Sequence, residues 1–555
     1  MPNFSRSSSL ESLGKGTFDL LVIGGGMTGA GVAVDAAARG LKVALVEKGD
    51  FASGTSSKSS KMVHGGLRYL QQREIRLVYE NLHERQRLLN NAPNLIEPLP
   101  FLIPLFGKDG IVSKTVARSY RVALWLYDIT GGLRIGKRHK EITRAQVVEH
   151  FPSLDIAHLV AGYLYYDARG DDARVALTLA RTASDLGAVL ANYTQVTAFT
   201  HDASGRVIGA SVSTCAPGET EKTIEIKARV VVNAAGVYAD EVSRLEEHQH
   251  RRTLTPAKGV HISVRKDRLN CDVASVIPVP KDKRSVFVVP WEEGDYIYIG
   301  TTDTAYEGPL DNPLATAEDV DYLLNAVNTL TSAQLTRTDV TGVWAGLRPL
   351  LQPESGKKMS ERTADLSRRH KVETSSEGIV LVTGGKWTTY RQMAEDTLNE
   401  VARQIPGIPK CPTRSLRLHG APAKKQAISL PGLPASLVDH LVHRYGTDAV
   451  AVAELIADDP SLGDPLVEGL PYIKADVLYG VRCEMAQSLI DVLSRRTRAQ
   501  LQNAYAAKEA APIAAAIMAT ELGWKKKKTQ EEISAFIDLV DRELDAAGLA
   551  SVVAS

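Results

Sequence analysis

The spacing of apolar residues changes character along the chain. From residue 18 to about 405, short uninterrupted apolar runs alternate with segments whose apolar positions recur every three or four residues. That is the pattern of strands alternating with helices in an α/β fold. The run at residues 20–23 passes through Gly24-Gly-Gly-Met-Thr-Gly29 into a helical pattern, then into a second apolar run that ends at Glu47. Two more strand-to-glycine junctions follow, at Val230-Val-Val-Asn-Ala-Ala-Gly236 and at Ile379-Val-Leu-Val-Thr-Gly-Gly385. Three such junctions on one chain predict a Rossmann-like nucleotide-binding domain assembled from separated segments, about 15–90, 145–250 and 340–405. Residues 255–302 carry β-type stretches such as Val286-Phe-Val-Val289 and Tyr296-Ile-Tyr-Ile299, which predict an antiparallel-sheet substrate or cap portion at about 91–144 and 251–339. Residues 406–434 are rich in proline and basic residues and read as a linker, and 435–550 read as a separate, Ala-rich helical domain.

The first junction has the geometry of a dinucleotide site. Gly24 permits the tight turn out of the strand, Gly26 lets backbone approach a pyrophosphate, and Gly29 lets helix pack on strand, with helix N–H groups facing the phosphates. A carboxylate at Glu47 can accept both hydroxyls of an adenosine ribose and would repel a 2'-phosphate, which disfavours NADP. The whole-chain charge adds little, because 66 basic against 65 acidic residues leave a net +1 and no field to attract nucleic acid. The 555 residues exceed a single core, and 44% apolar composition supports two or three. Cys215, Cys271, Cys411 and Cys483 lie far apart, with no paired spacing for a metal or a disulfide framework, as in a reducing compartment. No apolar run is long enough to span a bilayer and no secretory h-region precedes Phe18, so the chain is expected not to cross a membrane.

Further motifs carry a resemblance. Beside the 24–29 turn stand Thr55-Ser-Ser-Lys-Ser-Ser-Lys-Met-Val-His-Gly-Gly-Leu-Arg-Tyr69, Val231-Val-Asn-Ala-Ala-Gly236, Gly346-Leu-Arg-Pro-Leu350 and Gly384-Gly-Lys-Trp-Thr-Thr-Tyr-Arg391. The helical tail adds Pro471-Tyr-Ile-Lys474 and Glu484-Met-Ala-Gln-Ser-Leu-Ile-Asp-Val-Leu-Ser-Arg-Arg-Thr497. Together these resemble the FAD-dependent, respiratory glycerol-3-phosphate dehydrogenase family over nearly the full length. The resemblance implies FAD, held by Gly24, Gly26, Met27, Thr28, Gly29, Glu47, Lys48, Thr55, Ser56, Ser57, Ser60, Lys61, Val196, Ala234, Ala235, Gly236, Gly346, Arg348, Gly385, Lys386, Trp387, Thr388 and Thr389. It implies oxidation of sn-glycerol 3-phosphate to dihydroxyacetone phosphate, with electrons leaving to a membrane quinone.

That chemistry asks three things of the residues. A phosphate dianion needs forked cations, for which Arg68, Arg348 and Arg368 are candidates. The C2 hydroxyl proton needs an acceptor: His261 follows a Pro-Ala-Lys-Gly turn, and the resemblance places it over the flavin, with Tyr69 a hydroxyl donor to substrate and His64 shaping the flavin loop. Charge developing on the reduced flavin needs a helix N-terminus or a cation, and Gly384-Gly-Lys386-Trp-Thr-Thr offers both, either as a working site or as a glycine turn capped by Thr388 or Thr389. Asp171 and Asp172 read as helix N-caps rather than as a metal site, and residues 525–528 as a solvated helix end.

A bilayer quinone requires contact at the membrane surface. At residues 113–128, Val116, Tyr120, Ala123, Leu124 and Tyr127 recur at helical spacing opposite Lys114, Arg118 and Arg121, followed by Arg134, Lys137, Arg138 and His139. This stretch is either an amphipathic membrane-surface helix or an ordinary helix packed on the core. The location expected is the cytoplasm, peripheral on the inner face of the cell membrane, and a homodimer is compatible with the sequence. The alternatives are a glycerol-3-phosphate oxidase that passes electrons to O2, and a non-catalytic flavoprotein used as a binding module. The second is disfavoured by a phosphate clamp standing beside a proton acceptor.

Overall fold

The structure, a computed structural model, describes residues 4–67, 74–107, 114–246, 253–279, 285–352, 369–423 and 426–550. Arg68, Tyr69 and Arg368 lie outside the described residues.

Two sheets organise the molecule. The first has eight strands, and its centre is parallel: Thr17–Ile23 lies between Thr223–Asn233 and Val43–Val46, with Val380–Gly384 and Val189–Ala191 beyond them. The runs Leu20 to Ile23 and Val230 to Val232 are buried, so they carry no solvent-side alternation. Helices Met27–Ala38, Asp172–Asp185 and Tyr390–Val401 cover one face. Three strand ends, those before Gly24, Ala234 and Gly384, thereby meet at one edge of the sheet, as the three glycine junctions predict.

The second sheet has ten strands. It is antiparallel apart from the pairing of Ala274–Pro278 with Glu97–Phe106. It takes in more of the chain than its cap segments, for Leu159–Arg169 and Val340–Leu351 both belong to it, the latter paired along its length with Leu254–Arg265. Val340–Leu351 is buried over most of its length, so it shows no alternation of buried and exposed positions that would assign it to one sheet.

The tail is helical, as expected, but not separate. Helices Ala504–Leu522 and Lys526–Ala546 share one core with the second sheet, joining Ala507, Ala514, Phe536 and Val540 to Ile262, Val343 and Trp344. The short helix Ala499–Gln502 lies directly on the sheet: Ser263 Oγ donates to the Leu501 carbonyl and Thr341 Oγ1 to that of Gln502, each at 2.6 Å. A Cβ on Gly342 would stand 2.2 Å from the Leu501 oxygen, so this approach requires glycine.

Helix Lys114–Thr130 resolves the amphipathic stretch in an unexpected way. Its Leu124 and Tyr127 are buried and Tyr120 packs against the core, so the stripe read from spacing is the inward face. A second apolar stripe, Val122, Trp125, Leu126 and Ile129, faces solvent beside exposed Arg118 and Arg121. The recurrence of apolar residues on both sides obscured it in the sequence.

His440, in helix Ala435–Tyr445, pins the tail to the sheet. Its Nδ1 meets Glu293 at 2.8 Å and its Nε2 meets Asp476 at 3.2 Å, a geometry that calls for the doubly protonated ring. Burial opposes the charge, but the Asp476 and Glu293 carboxylates outweigh it and lift the pKa to about 9. A pKa raised on folding stabilises fully below the unfolded value of about 6.5 and ceases to do so as pH climbs through about 9. Denaturant unfolding at pH 6.5 and 9 should therefore differ by on the order of 2 kcal/mol through this group, and His440→Gln should flatten the difference.

Candidate functional site

The glycine turn is locally forced. Gly24 has φ +110°, a conformation that side chains strain to adopt, and a Cβ on Gly29 would stand 1.9 Å from the Gly24 carbonyl oxygen. Helix Met27–Ala38 can thus start against the turn only with glycine at both places, its N-terminus toward a cavity of about 360 Å³. The cavity unites the three junctions: Gly24, Gly26, Met27 and Thr28 from the first, Ala234, Ala235 and Gly236 from the second, Gly385, Lys386, Trp387 and Thr388 from the third. Gly236 faces open space, where a Cβ would meet no protein atom within 4 Å. Thr55, Ser56, Ser60 and Gly346 complete the expected lining.

Glu47 stands at the end of its strand as predicted. Its carboxylate accepts the Gly25 N–H at 2.6 Å and the Gly49 N–H at 2.8 Å. Burial raises its pKa in spite of these two bonds. Backbone on both sides holds the group in place, and its remaining lone pairs face the cavity, where ribose hydroxyls could meet them.

Several residues expected around the cofactor face elsewhere. Val196 packs in the core behind the sheet, and Gly29 lies beneath its own turn. Lys48 lines a side pouch of about 260 Å³, ion-paired to Asp311 at 3.0 Å and over the Tyr238 ring. Lys61 is turned behind the loop, where its ammonium donates to Asp172 at 3.0 Å and to the Ser57 carbonyl at 3.4 Å, so its side chain is directed away from the cavity. Ser57 is buried in the same turn, its hydroxyl directed to the Gly54 carbonyl. Thr389 does not cap its helix, since its hydroxyl donates back to the Lys386 carbonyl at 3.1 Å.

The candidate chemistry gathers at the other end of the cavity. His261 and Arg348 stand on paired strands, His261 opposite Trp344 and Arg348 opposite Ala257, and both line the cavity with His64, Lys386 and Gly259. His261 is 2% exposed, stacked on Trp344 at 4.9 Å, with Nε2 2.8 Å from the Ser60 hydroxyl and Nδ1 unpartnered among the described residues. Burial, then the Lys61 and Arg348 charges, push its pKa well below the usual histidine value, so the ring is neutral at neutral pH. Arg348 donates to Asp303 at 3.2 Å, to the Thr301 hydroxyl at 3.1 Å and to the Lys258 and Thr302 carbonyls. An arriving dianion would compete with Asp303 for this fork.

Sequence reasoning missed two contributors. Lys58 lines both the cavity and the side pouch, and burial lowers the pKa of its ammonium. Asp172, expected with Asp171 as a cap, accepts the Ala173 N–H at 3.0 Å but also ties down the loop, while Asp171 is the N-cap and accepts the Ala173 and Arg174 N–H groups. Only the adjacency of two aspartates hinted at divided roles.

Comparison with known proteins agrees with this geometry. Residues 19–391 match the family described as FAD dependent oxidoreductase, and 411–529 match the C-terminal domain of alpha-glycerophosphate oxidase. The chain is 40% identical over 549 residues to glycerol-3-phosphate dehydrogenase 2 of Mycobacterium tuberculosis, covering 97% of this chain and 91% of that one. It is 37% identical over 556 residues to the human mitochondrial glycerol-3-phosphate dehydrogenase, covering 95% and 74%. The crystal structure of the glycerol-3-phosphate dehydrogenase from Bacillus halodurans, complexed with FAD, superposes with a TM-score of 0.78 at 31% identity over 98% of both chains.

Removing the Glu47 carboxylate should weaken FAD binding by about 1.5 to 3 kcal/mol, roughly 10- to 100-fold. Titration of Glu47→Ala apo-protein with FAD measures this, and an unchanged dissociation constant would show that Glu47 is not a ribose ligand.

Proposed function

We propose, from the premise that this chain belongs to the FAD-dependent glycerol-3-phosphate dehydrogenase family, that it oxidises sn-glycerol 3-phosphate to dihydroxyacetone phosphate and passes the electrons to a quinone at a membrane surface. The observation that carries the reading is a single cavity lined at one end by the dinucleotide turn and at the other by His261, Arg348 and Lys386. FAD, when bound, supplies the acceptor for the C2 hydride. The chain's own residues do the rest. Arg348 and Lys386 recognise the phosphate, the first by exchanging Asp303 for a dianion that it can grip with two N–H groups. His261, kept neutral by its surroundings, takes the hydroxyl proton. The hydrogen bond between Nε2 and the Ser60 hydroxyl and the Trp344 stack hold the plane of that ring. A second acceptor is supported by one observation: His64 lines the same cavity and is half-buried, more accessible than His261.

The surface supports the quinone as acceptor. No helix among the described residues is long and apolar enough to cross a membrane. The exposed stripe Val122, Trp125, Leu126 and Ile129 is joined by exposed Ile75 and Tyr79 on the adjoining helix Ile75–Asn91, and rimmed by exposed Arg118, Arg121, Arg134, Lys137 and Arg138. Apolar side chains ringed by cations are what a helix lying in an anionic bilayer surface presents.

Anaerobic addition of sn-glycerol 3-phosphate should bleach the flavin absorbance, and a quinone in anionic vesicles should restore it faster than O2 does. Trp125→Glu with Ile129→Glu should lower turnover with vesicle-borne quinone about 10-fold, while a soluble dye still accepts electrons at the parent rate. Rapid O2 turnover with stoichiometric peroxide would identify an oxidase instead. In stopped-flow reduction, His261→Ala should lose about 10²- to 10⁴-fold in rate. The acid limb of the parent should lie below about pH 6.5 and vanish in that variant. A parent-like His261→Ala beside a defective His64→Ala would transfer the role to His64.

A further inference from the structure

The segment between Glu47 and Met62 forms one wall of the cavity, with its turn Thr55–Ser57 against the dinucleotide helix, where the Met27 N–H donates to Ser56 Oγ at 2.9 Å. Two carboxylates support that wall, Asp50 behind it and Asp172 at the cavity's edge, 1% and 0% exposed. Asp50 accepts Arg495 Nε and Arg496 Nη1 on one oxygen, each at 2.6 Å, and Arg496 Nη2 at 2.8 Å and Asn192 at 3.1 Å on the other. Asp172 accepts the Ser59 N–H at 2.9 Å and its hydroxyl at 2.7 Å on one oxygen, and Lys61 at 3.0 Å and Arg498 at 3.1 Å on the other. Arg498 also donates to the Ser57 carbonyl and is 2% exposed.

The three guanidiniums belong to the helical tail, yet each ends on the cofactor wall or its supports. Burial opposes the charge on Asp50, but Arg496 and Arg495 hold its carboxyl below the usual range. Arg498 bridges the wall backbone and Asp172 with one nitrogen, and Asp172 in turn holds Ser59 next to Ser60, the partner of His261. A lysine carries the same charge but has no second arm to hold the Ser494 carbonyl, which Arg498 Nη1 meets at 2.8 Å and which aims the other nitrogen at the wall.

We propose that the C-terminal helical region serves as the brace of the cofactor wall, and that Arg498 is a positioning residue for FAD, acting through Asp172 and the Ser57 carbonyl. The proposal rests on FAD as the cofactor and gives the tail a role at the site that its sequence does not announce. Arg498 touches neither the cavity nor the substrate end, so its effect must pass through the wall.

Full-length apo-protein of the parent, Arg498→Lys and Arg498→Met would be titrated with FAD by fluorescence, with apo-protein thermal unfolding recorded alongside. Arg498→Lys should keep a folded apo-protein and bind FAD about 10- to 100-fold more weakly, with an altered shape of the bound flavin absorbance band. The Met variant should bind more weakly still. At saturating FAD, the KM for sn-glycerol 3-phosphate should stay at the parent value, because the groups that hold Arg348, namely Asp303, Thr301, Thr302 and Lys258, all lie outside the wall segment. The proposal is overturned if both variants bind FAD as the parent does, or if affinity falls only in a variant whose apo-protein is unfolded at the assay temperature. A parent that binds no FAD would refute the cofactor assignment rather than the brace.

Discussion

Two buried carboxylates, each ringed by cations, set the terms for the rest of this molecule. A lone charge at the depth of Asp50 or Asp172 would cost several kcal/mol, and the penalty is offset only by cations in good hydrogen-bonding geometry. Those cations are Arg495, Arg496 and Arg498 of the helical tail, with Lys61 as a second partner of Asp172. The tail therefore has to lie against the nucleotide domain, and the shared core of its helices with the antiparallel sheet follows from that placement. Breaking one partner of such a pair harms more than making the pair helped, because the survivor is left charged and buried.

The cavity inherits its shape from the same arrangement. Its floor is parallel sheet, whose strand ends deliver three glycine junctions to one edge, and its roof is the antiparallel sheet carrying His261 and Arg348 on adjacent strands. The wall between them is the segment after Glu47, which has little regular structure of its own. Such a segment keeps one conformation only when its polar backbone is satisfied from behind. Ser57, Ser59 and Lys61 each make that kind of backward contact.

How much of this was legible in the sequence depended on the range of the interaction. Local rules were enough for the turn at Gly24 and Gly29, the strand ending at Glu47 and the helical tail, because each is a matter of φ, period or a short apolar run. His261, Arg348 and Lys386 could be named as residue types in glycine-rich contexts, and the structure brings all three to one cavity. What escaped was set by partners far along the chain: the turning of Lys61 away from the cavity, the work of Asp172, and the tail's burial on the second sheet. In helix Lys114–Thr130, apolar residues on two faces made the period ambiguous, and only packing distinguished Leu124 from Ile129.

The order of the strands also bears on how the protein is made. Thr17–Ile23 emerges from the ribosome early, but its neighbour Thr223–Asn233 follows some two hundred residues later, and Val380–Gly384 later again. Until then a hydrophobic strand has an open edge, the kind of surface on which nascent chains mispair. The guanidiniums that neutralise Asp50 are translated after every strand of both sheets. A polypeptide interrupted before them would bury Asp50 without its counter-charges and leave the ribosome as a client for chaperones and proteases rather than as a partly active enzyme.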